Sequence, residues 1–160
     1  MKNNISIIFL LISFLNYGQS KSETEDWIKE KIFSYSYKSA DISHSYVIDF
    51  NSGTMLIRNT SISVVGSFKQ EIYCDYWIPI KEISSFRFEE NQNNIHFKFF
   101  LKNNAKIKSE WLKDKDYKYS DNFYFILDKS FKNDDMFNRM TKAINNLIKL
   151  NGGTIKKETF

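Results

Sequence analysis

NNIHFKFFL, residues 93–101, reads as a strand with one buried face. Ile95, Phe97, Phe99 and Leu101 point one way, and His96 and Lys98 point the other, which is the alternation of a half-buried sheet. The same period recurs on both sides. Upstream, ISSFRFEE (83–90) pairs Phe86 with Phe88. QEIYCDYWIPI (70–80) sets Ile72, Cys74, Tyr76 and Ile78 on one face and Glu71, Tyr73, Asp75 and Trp77 on the other. Downstream, AKIKSEW (105–111) alternates Ile107 and Trp111 with Lys106, Lys108 and Glu110, and NFYFIL (122–127) supplies Phe123, Phe125 and Leu127. Near the start of the run, HSYVIDF (44–50) alternates Tyr46, Ile48 and Phe50 with Val47 and Asp49. Asn51–Gly53 then turns into TMLIRN as a hairpin, and a short strand SISVVG follows. Asparagine-rich turns such as ENQNN and KNNA separate the segments. Between His44 and Asp128 this makes seven or eight strands. The expectation is an antiparallel meander closing into a barrel or a strongly bent sheet.

Helices flank the meander. In SKSETEDWIKEKIFSYSY, Ser22 and Glu25 have capping-box spacing, acids load the first turn, and Trp27, Ile28, Ile32 and Tyr35 share a face. In NDDMFNRMTKAINNLIKLNGG, Asn133 or Asp134 is the expected cap. Phe137, Met140, Ile144, Leu147 and Ile148 form an apolar stripe, and Gly152 and Gly153 supply the stop. The fold class is therefore α+β, with an N-terminal helix and a C-terminal amphipathic helix.

A meander followed by one amphipathic helix is the element order of the pleckstrin-homology-like barrel. In the runs YWIPIKEISSFRFEE (76–90) and RMTKAINNLIKLNGG (139–153) the chain resembles small uncharacterised exported proteins of Bacteroidota-type bacteria with such a barrel. The resemblance implies the barrel, its terminal helix plug and an exported setting. It brings no catalytic residues.

The apolar run Ile5–Leu15 precedes all of this. It falls well short of the roughly 20 residues that cross a bilayer. With Lys2 before it and Gly18 after it, the run reads as a secretory signal spanning 1–18, leaving a single domain over 19–160. An uncleaved anchor and an ordinary buried helix are the competing readings. The expected product is an exported, periplasmic or extracellular protein with no stable transmembrane anchor. No cysteine closes the apolar run, which excludes lipid attachment at a lipoprotein-type site. Cys74 is the one cysteine in the chain, so stability rests on the core and not on an internal disulfide.

The formal charge of +4 comes almost wholly from lysine, in a chain also rich in Asn, Ile, Phe and Tyr. That set matches an AT-rich coding composition, and arginine is the usual residue of nucleic-acid surfaces. Phe97–Tyr119 interleaves lysines with aromatics, but Phe97 and Trp111 have core parity and acids dilute the charge. Nucleic acid is not an expected partner. Cys74 has core parity, and a thiol nucleophile needs an activating base. Of the two histidines, His96 points outward. These donors have no metal-ligand spacing, and no cofactor is expected. DKDYKYSDN (114–122) opens like a calcium loop but puts Lys118 and Tyr119 where an oxygen ligand and a glycine belong, and so reads as a charged loop.

Tyr73, Asp75 and Trp77 remain as candidate ligand-binding residues, on the face of their strand opposite the core. The bland alternative is that Trp27 and Ile28 of the N-terminal helix cover them. Two functions stand: a non-catalytic cell-envelope module that recognises a protein or lipid partner, and a small secreted hydrolase. In the second, acids among Asp49, Asp75, Glu89 and Glu90 would converge only in the fold.

Overall fold

The computed structural model describes residues 20–102, 104–113 and 115–155. The apolar run Ile5–Leu15 and the expected cleavage after Gly18 lie outside them. Helix α1 (Lys21–Ser34) leads into strands β1 (Ile42–Asn51), β2 (Thr54–Val65) and β3 (Phe68–Pro79). After a 3-10 turn (Ile80–Glu82) come β4 (Ile83–Glu90), β5 (Asn94–Leu101), β6 (Ile107–Trp111), β7 (Asp116–Ser120) and β8 (Asn122–Asp128). A second 3-10 turn (Lys129–Lys132) precedes helix α2 (Met136–Leu150).

All strand pairs are antiparallel, and they build two sheets: β1-β2-β3-β6-β7 and β4-β5-β8. Neither sheet closes on itself, so the expected barrel is replaced by two facing sheets with edges. The edges β1 and β8 come near each other but are joined only in part. Tyr37 N–H donates to the Ile126 carbonyl (3.1 Å) and Asp128 N–H to the Tyr35 carbonyl (2.7 Å), while His44 N–H donates to the Tyr37 carbonyl (2.8 Å). The Tyr35–Lys38 segment thus laces one end of the seam through isolated bridges to Leu127 and Ser43.

Local chemistry explains the elements. In the β1–β2 hairpin, Asn51 pairs with Thr54 across a two-residue loop. Ser52 (φ 48°) and Gly53 (φ 81°) both take the left-handed conformation that a twist-matched turn requires. Strand β2 absorbs both TMLIRN and SISVVG, which alternation alone had separated: the polar stretch Asn59–Ser61 continues the ladder without a break. The expected charged loop contains the short strand β7, exposed at every residue. An edge strand with no buried face leaves no alternation to read. The capping box of α1 lies two residues earlier than expected: Ser20 Oγ accepts from Glu23 N–H and the Glu23 carboxylate accepts from Ser20 N–H. Helix α2 starts after Asp135, whose backbone is left-handed and whose side chain makes no capping bond.

Helices and sheets meet over one core. Ile28 and Ile32 of α1, and Met140, Ile144, Leu147 and Ile148 of α2, bury against Ile48, Met55, Ile57 and Ile78 from one sheet and Phe97, Phe99, Phe125 and Leu127 from the other. Of the stripe expected on α2, Met140, Ile144, Leu147 and Ile148 are buried and Phe137 is half-buried at the margin of the core. Past its end, Gly153 N–H donates to the Ile148 carbonyl (2.9 Å). A Cβ on Gly153 would stand 2.6 Å from Ile148 Cγ2 and 3.0 Å from the backbone of Lys81, so the helix stop packs directly on the first 3-10 turn. Gly153→Ala is therefore expected to destabilise the fold by about 1–3 kcal/mol. Gly66→Asn, at a left-handed turn (φ 62°) with open space around it, should cost under about 0.5 kcal/mol. Urea unfolding of both variants checks the contrast.

Candidate functional site

Ladder register decides what stands on the solvent side of the five-stranded sheet. One row across the strands runs Val47, Arg58, Asp75, Glu110 and Tyr117; the next runs Asp49, Leu56, Trp77, Lys108 and Tyr119. Tyr73 lies one row further, opposite Thr60. The structure thus brings together Tyr73, Asp75 and Trp77 on the face opposite the core and adds residues that the strand alone did not reveal: Arg58, Lys108, Tyr117 and Tyr119. The turn at Gly66–Ser67 carried the signal for Arg58, since a two-residue loop between Val65 and Phe68 places Arg58 opposite Asp75.

Helix α1 does not cover this face. Its Ile28 and Ile32 are in the core on the other side of the sheet. Trp27 turns toward α2, with the Arg139 guanidinium 5.5 Å from its ring centre. Among the described residues no helix and no second sheet covers Tyr73, Tyr117 and Tyr119, which are 42%, 49% and 67% exposed.

Asp75 behaves differently from its neighbours. It is only 5% exposed although it lies on the outer face, because aromatic side chains stand on both sides of it along β3. A carboxylate removed from water needs a charged partner with matching geometry. Arg58 supplies it through two bonds, Nε to Oδ1 at 3.0 Å and Nη2 to Oδ2 at 3.2 Å. The aromatics are ordered too: Lys108 Nζ lies 4.9 Å from the Trp77 ring centre and 4.0 Å from that of Tyr117. Tyr73 Oη donates to Glu71 at 2.5 Å, and that contact pushes its phenol pKa upward. The result is an aromatic platform held upright by charges, with a neutralised ion pair at its centre.

The acids proposed for a hydrolase are divided between the two sheets. Asp49 and Asp75 flank Arg58 on this face. Glu89 lies on the other sheet, bonded to Lys98 at 2.5 Å and Arg87 at 2.6 Å, and the Lys98 contact foremost lowers its pKa. Glu90 pairs with Lys132 at 3.4 Å. Cys74 is buried, and burial pushes its thiol pKa up, away from the nucleophilic thiolate. Among the described residues no three His, Cys, Asp or Glu side chains come together as a metal-binding group, and no helix is long and apolar enough to cross a membrane.

The histidines occupy separate places. His96 stacks on Tyr124 on the outer side of the three-stranded sheet (4.7 Å between ring centres). His44 Nδ1 is 2.8 Å from Ser61 Oγ, which accepts from Asn59 Nδ2 at 3.2 Å. Burial pushes the His44 pKa below the usual histidine range, against the Asn59 carboxamide and together with His96. Burial and Lys98 lower that of His96.

Comparison with protein-family models, curated proteins and solved structures finds no match for this chain.

Two outcomes follow from these charges. Arg58→Met leaves Asp75 enclosed without its partner and is expected to cost about 1–3 kcal/mol. Arg58→Met combined with Asp75→Leu should recover most of that loss in urea unfolding. The histidines set a pH trend. The unfolded chain binds their protons at higher pH than the folded one, so their contribution is full above about 6.5 and falls as pH drops through the lowered folded values. Unfolding at about pH 7.5 and about pH 5.5 should show lower stability at the acidic point. The decline should shrink in a variant carrying His44→Gln and His96→Gln.

Proposed function

We propose that this chain is a non-catalytic binding module of the cell envelope, exported by its N-terminal signal, that engages a protein or lipid partner through the outer face of its five-stranded sheet. One observation carries the reading. Tyr73, Trp77, Tyr117 and Tyr119 form a platform that no described element covers, around an aspartate already neutralised by Arg58. Exposed tyrosine and tryptophan offer large apolar area with a polar tip and little rotamer entropy to lose, which suits recognition. The Arg58–Asp75 pair presents no unbalanced charge to a partner. Strand β7, exposed throughout and at the sheet margin, adds backbone groups that an extended segment can pair with.

The ion pairs of Asp75, Glu89 and Glu90 argue for binding over carboxylate hydrolysis, since a general acid needs a carboxyl group held protonated near neutral pH. The pleckstrin-homology-like architecture belongs to the same proposal. It is supported by the order of elements, a meander of antiparallel strands ending in an amphipathic helix, in a form whose sheets stay separate.

The test is native mass spectrometry of the protein taken from its own cell envelope. The expected result is a chain of residues 19–160 with a co-purifying partner. Combining Tyr73→Ala and Trp77→Ala should weaken that association about tenfold or more, as expected for two central aromatic contacts, with the unfolding midpoint little changed. Recovery of a bare chain, or equal retention of the partner by the double variant, would overturn the reading.

A further inference from the structure

The unlaced end of the seam between the sheets holds a cleft of about 180 Å³, away from the outer platform. Tyr46, Tyr76 and Phe123 wall it with rings, His44 and Asn59 line it on one side, and the β8 edge at Tyr124 lines it on the other. Three features of this cleft point to a ligand.

The first is an orphan. Asn59 Nδ2 is committed to Ser61, but Asn59 Oδ1 is buried with no hydrogen-bond partner, the one such side-chain atom among the described residues. A buried acceptor left without a donor is costly, and native folds seldom retain one without a function or a bound molecule to satisfy it.

The second is the strand edge. Ile126 turns both of its backbone groups away from β5: its N–H donates to Tyr46 Oη (2.9 Å) and its carbonyl accepts from Tyr37 (3.1 Å). Antiparallel ladders alternate, so Tyr124, two residues back on the same strand, turns its N–H and carbonyl to the same side. No strand of the described residues pairs with β8 there. The edge therefore offers a donor and an acceptor side by side, next to the orphan acceptor.

The third is size and charge. A cavity of about 150 Å³ holds a single benzene ring, so this cleft of about 180 Å³ is sized for one ring. No Asp, Glu, Lys or Arg lines it, and burial favours the neutral form of His44. A charged ligand would have no counter-ion.

We propose that the cleft is a binding site for a small uncharged planar ring bearing a cyclic-ureide edge, seated between the tyrosine rings. Its adjacent N–H and C=O complement the carbonyl and N–H of Tyr124, and a further N–H satisfies Asn59 Oδ1. The site is independent of the outer platform, so it stands or falls separately from the envelope-binding reading.

The test uses the isotope-labelled protein and backbone-amide NMR titration with uracil and thymine. Their N-methylated forms, 1,3-dimethyluracil and 1,3-dimethylthymine, keep the ring and lose both donors. Saturable shifts centred on Asn59, Phe123 and Tyr124 are expected with the parent compounds. Binding should be about tenfold weaker or absent with the methylated forms, the loss of a hydrogen bond to a desolvated acceptor. Asn59→Leu should abolish binding and raise the unfolding midpoint, because it removes the orphan acceptor. If that variant does not fold, Asn59→Ser serves for the binding measurement. Absence of saturable shifts with either parent compound at millimolar concentration would overturn the proposal. Equal binding of parent and methylated rings, or unchanged binding by the Asn59 variant, would do the same.

Discussion

Phe97, at the middle of β5, has a ring on every side that the core offers. Phe88 stacks on it at 4.5 Å, Phe99 lies 4.6 Å away, Phe86 meets it edge-on at 5.8 Å and Phe125 is at 6.1 Å. The contacts do not stop there. Phe88 also stacks on Phe137 of α2 at 4.5 Å, and Phe125 meets Tyr46 of β1 edge-on at 4.9 Å. A single chain of rings, Phe137–Phe88–Phe97–Phe125–Tyr46, therefore ties the C-terminal helix through the three-stranded sheet to the edge of the other sheet. Each such pair contributes about 0.5–1.5 kcal/mol beyond the area it buries. No disulfide is available to do this work in a chain with one cysteine. The placement of the C-terminal helix and of both sheets follows from that ring chain.

With the large rings drawn inward, the outer face of the five-stranded sheet inherits the other half of each strand's alternation. On β3 that half is Tyr73, Asp75 and Trp77. Aromatic neighbours exclude water from Asp75, and only a bidentate partner makes that exclusion tolerable. Arg58 thereby has a positional role: the pair fixes the register of β2 against β3 at the centre of the platform, because a slip of one residue would strand a buried carboxylate. Lys108 does the lighter part of the same task by standing between Trp77 and Tyr117. Core and platform are two readings of one alternation.

Much of this was legible in the residues. The inward sets of β1, β3, β5 and β8, the hairpin at Asn51–Gly53 and the buried stripe of α2 follow from periodicity and turn chemistry, because burial on one face leaves a signal in every second or fourth residue. What was not legible lacks such a signal. Strand β7 has no buried face, and the middle of β2 carries Asn59, Thr60 and Ser61 where apolar residues would mark continuation. Asp75 looked solvent-facing because strand parity reports direction and not depth. Its burial depends on Arg58, seventeen residues away, and on side-chain bulk in neighbouring rows. The separation of the sheets was equally hidden, since a meander's alternation is the same whether its edges meet or not.

Tyr46 supplies the physical reason that the edges do not meet. Direct pairing of β1 with β8 would bring the two backbones to about 4.8 Å. Instead Tyr46 is buried between them, its ring edge-on to Phe125 and its hydroxyl taking the Ile126 N–H that a strand carbonyl would otherwise accept. Burial raises the pKa of that phenol well above its ordinary value, so it stays a neutral partner at any physiological pH. Full closure would require this ring to leave the core and break the aromatic chain at its last link. The lacing by Tyr35–Lys38 satisfies the backbone at one end of β8, and beyond Tyr46 the seam has no segment of the described chain to fill it. The cleft beside Asn59 is thus the geometric consequence of using a tyrosine, in place of a strand, to join two sheets.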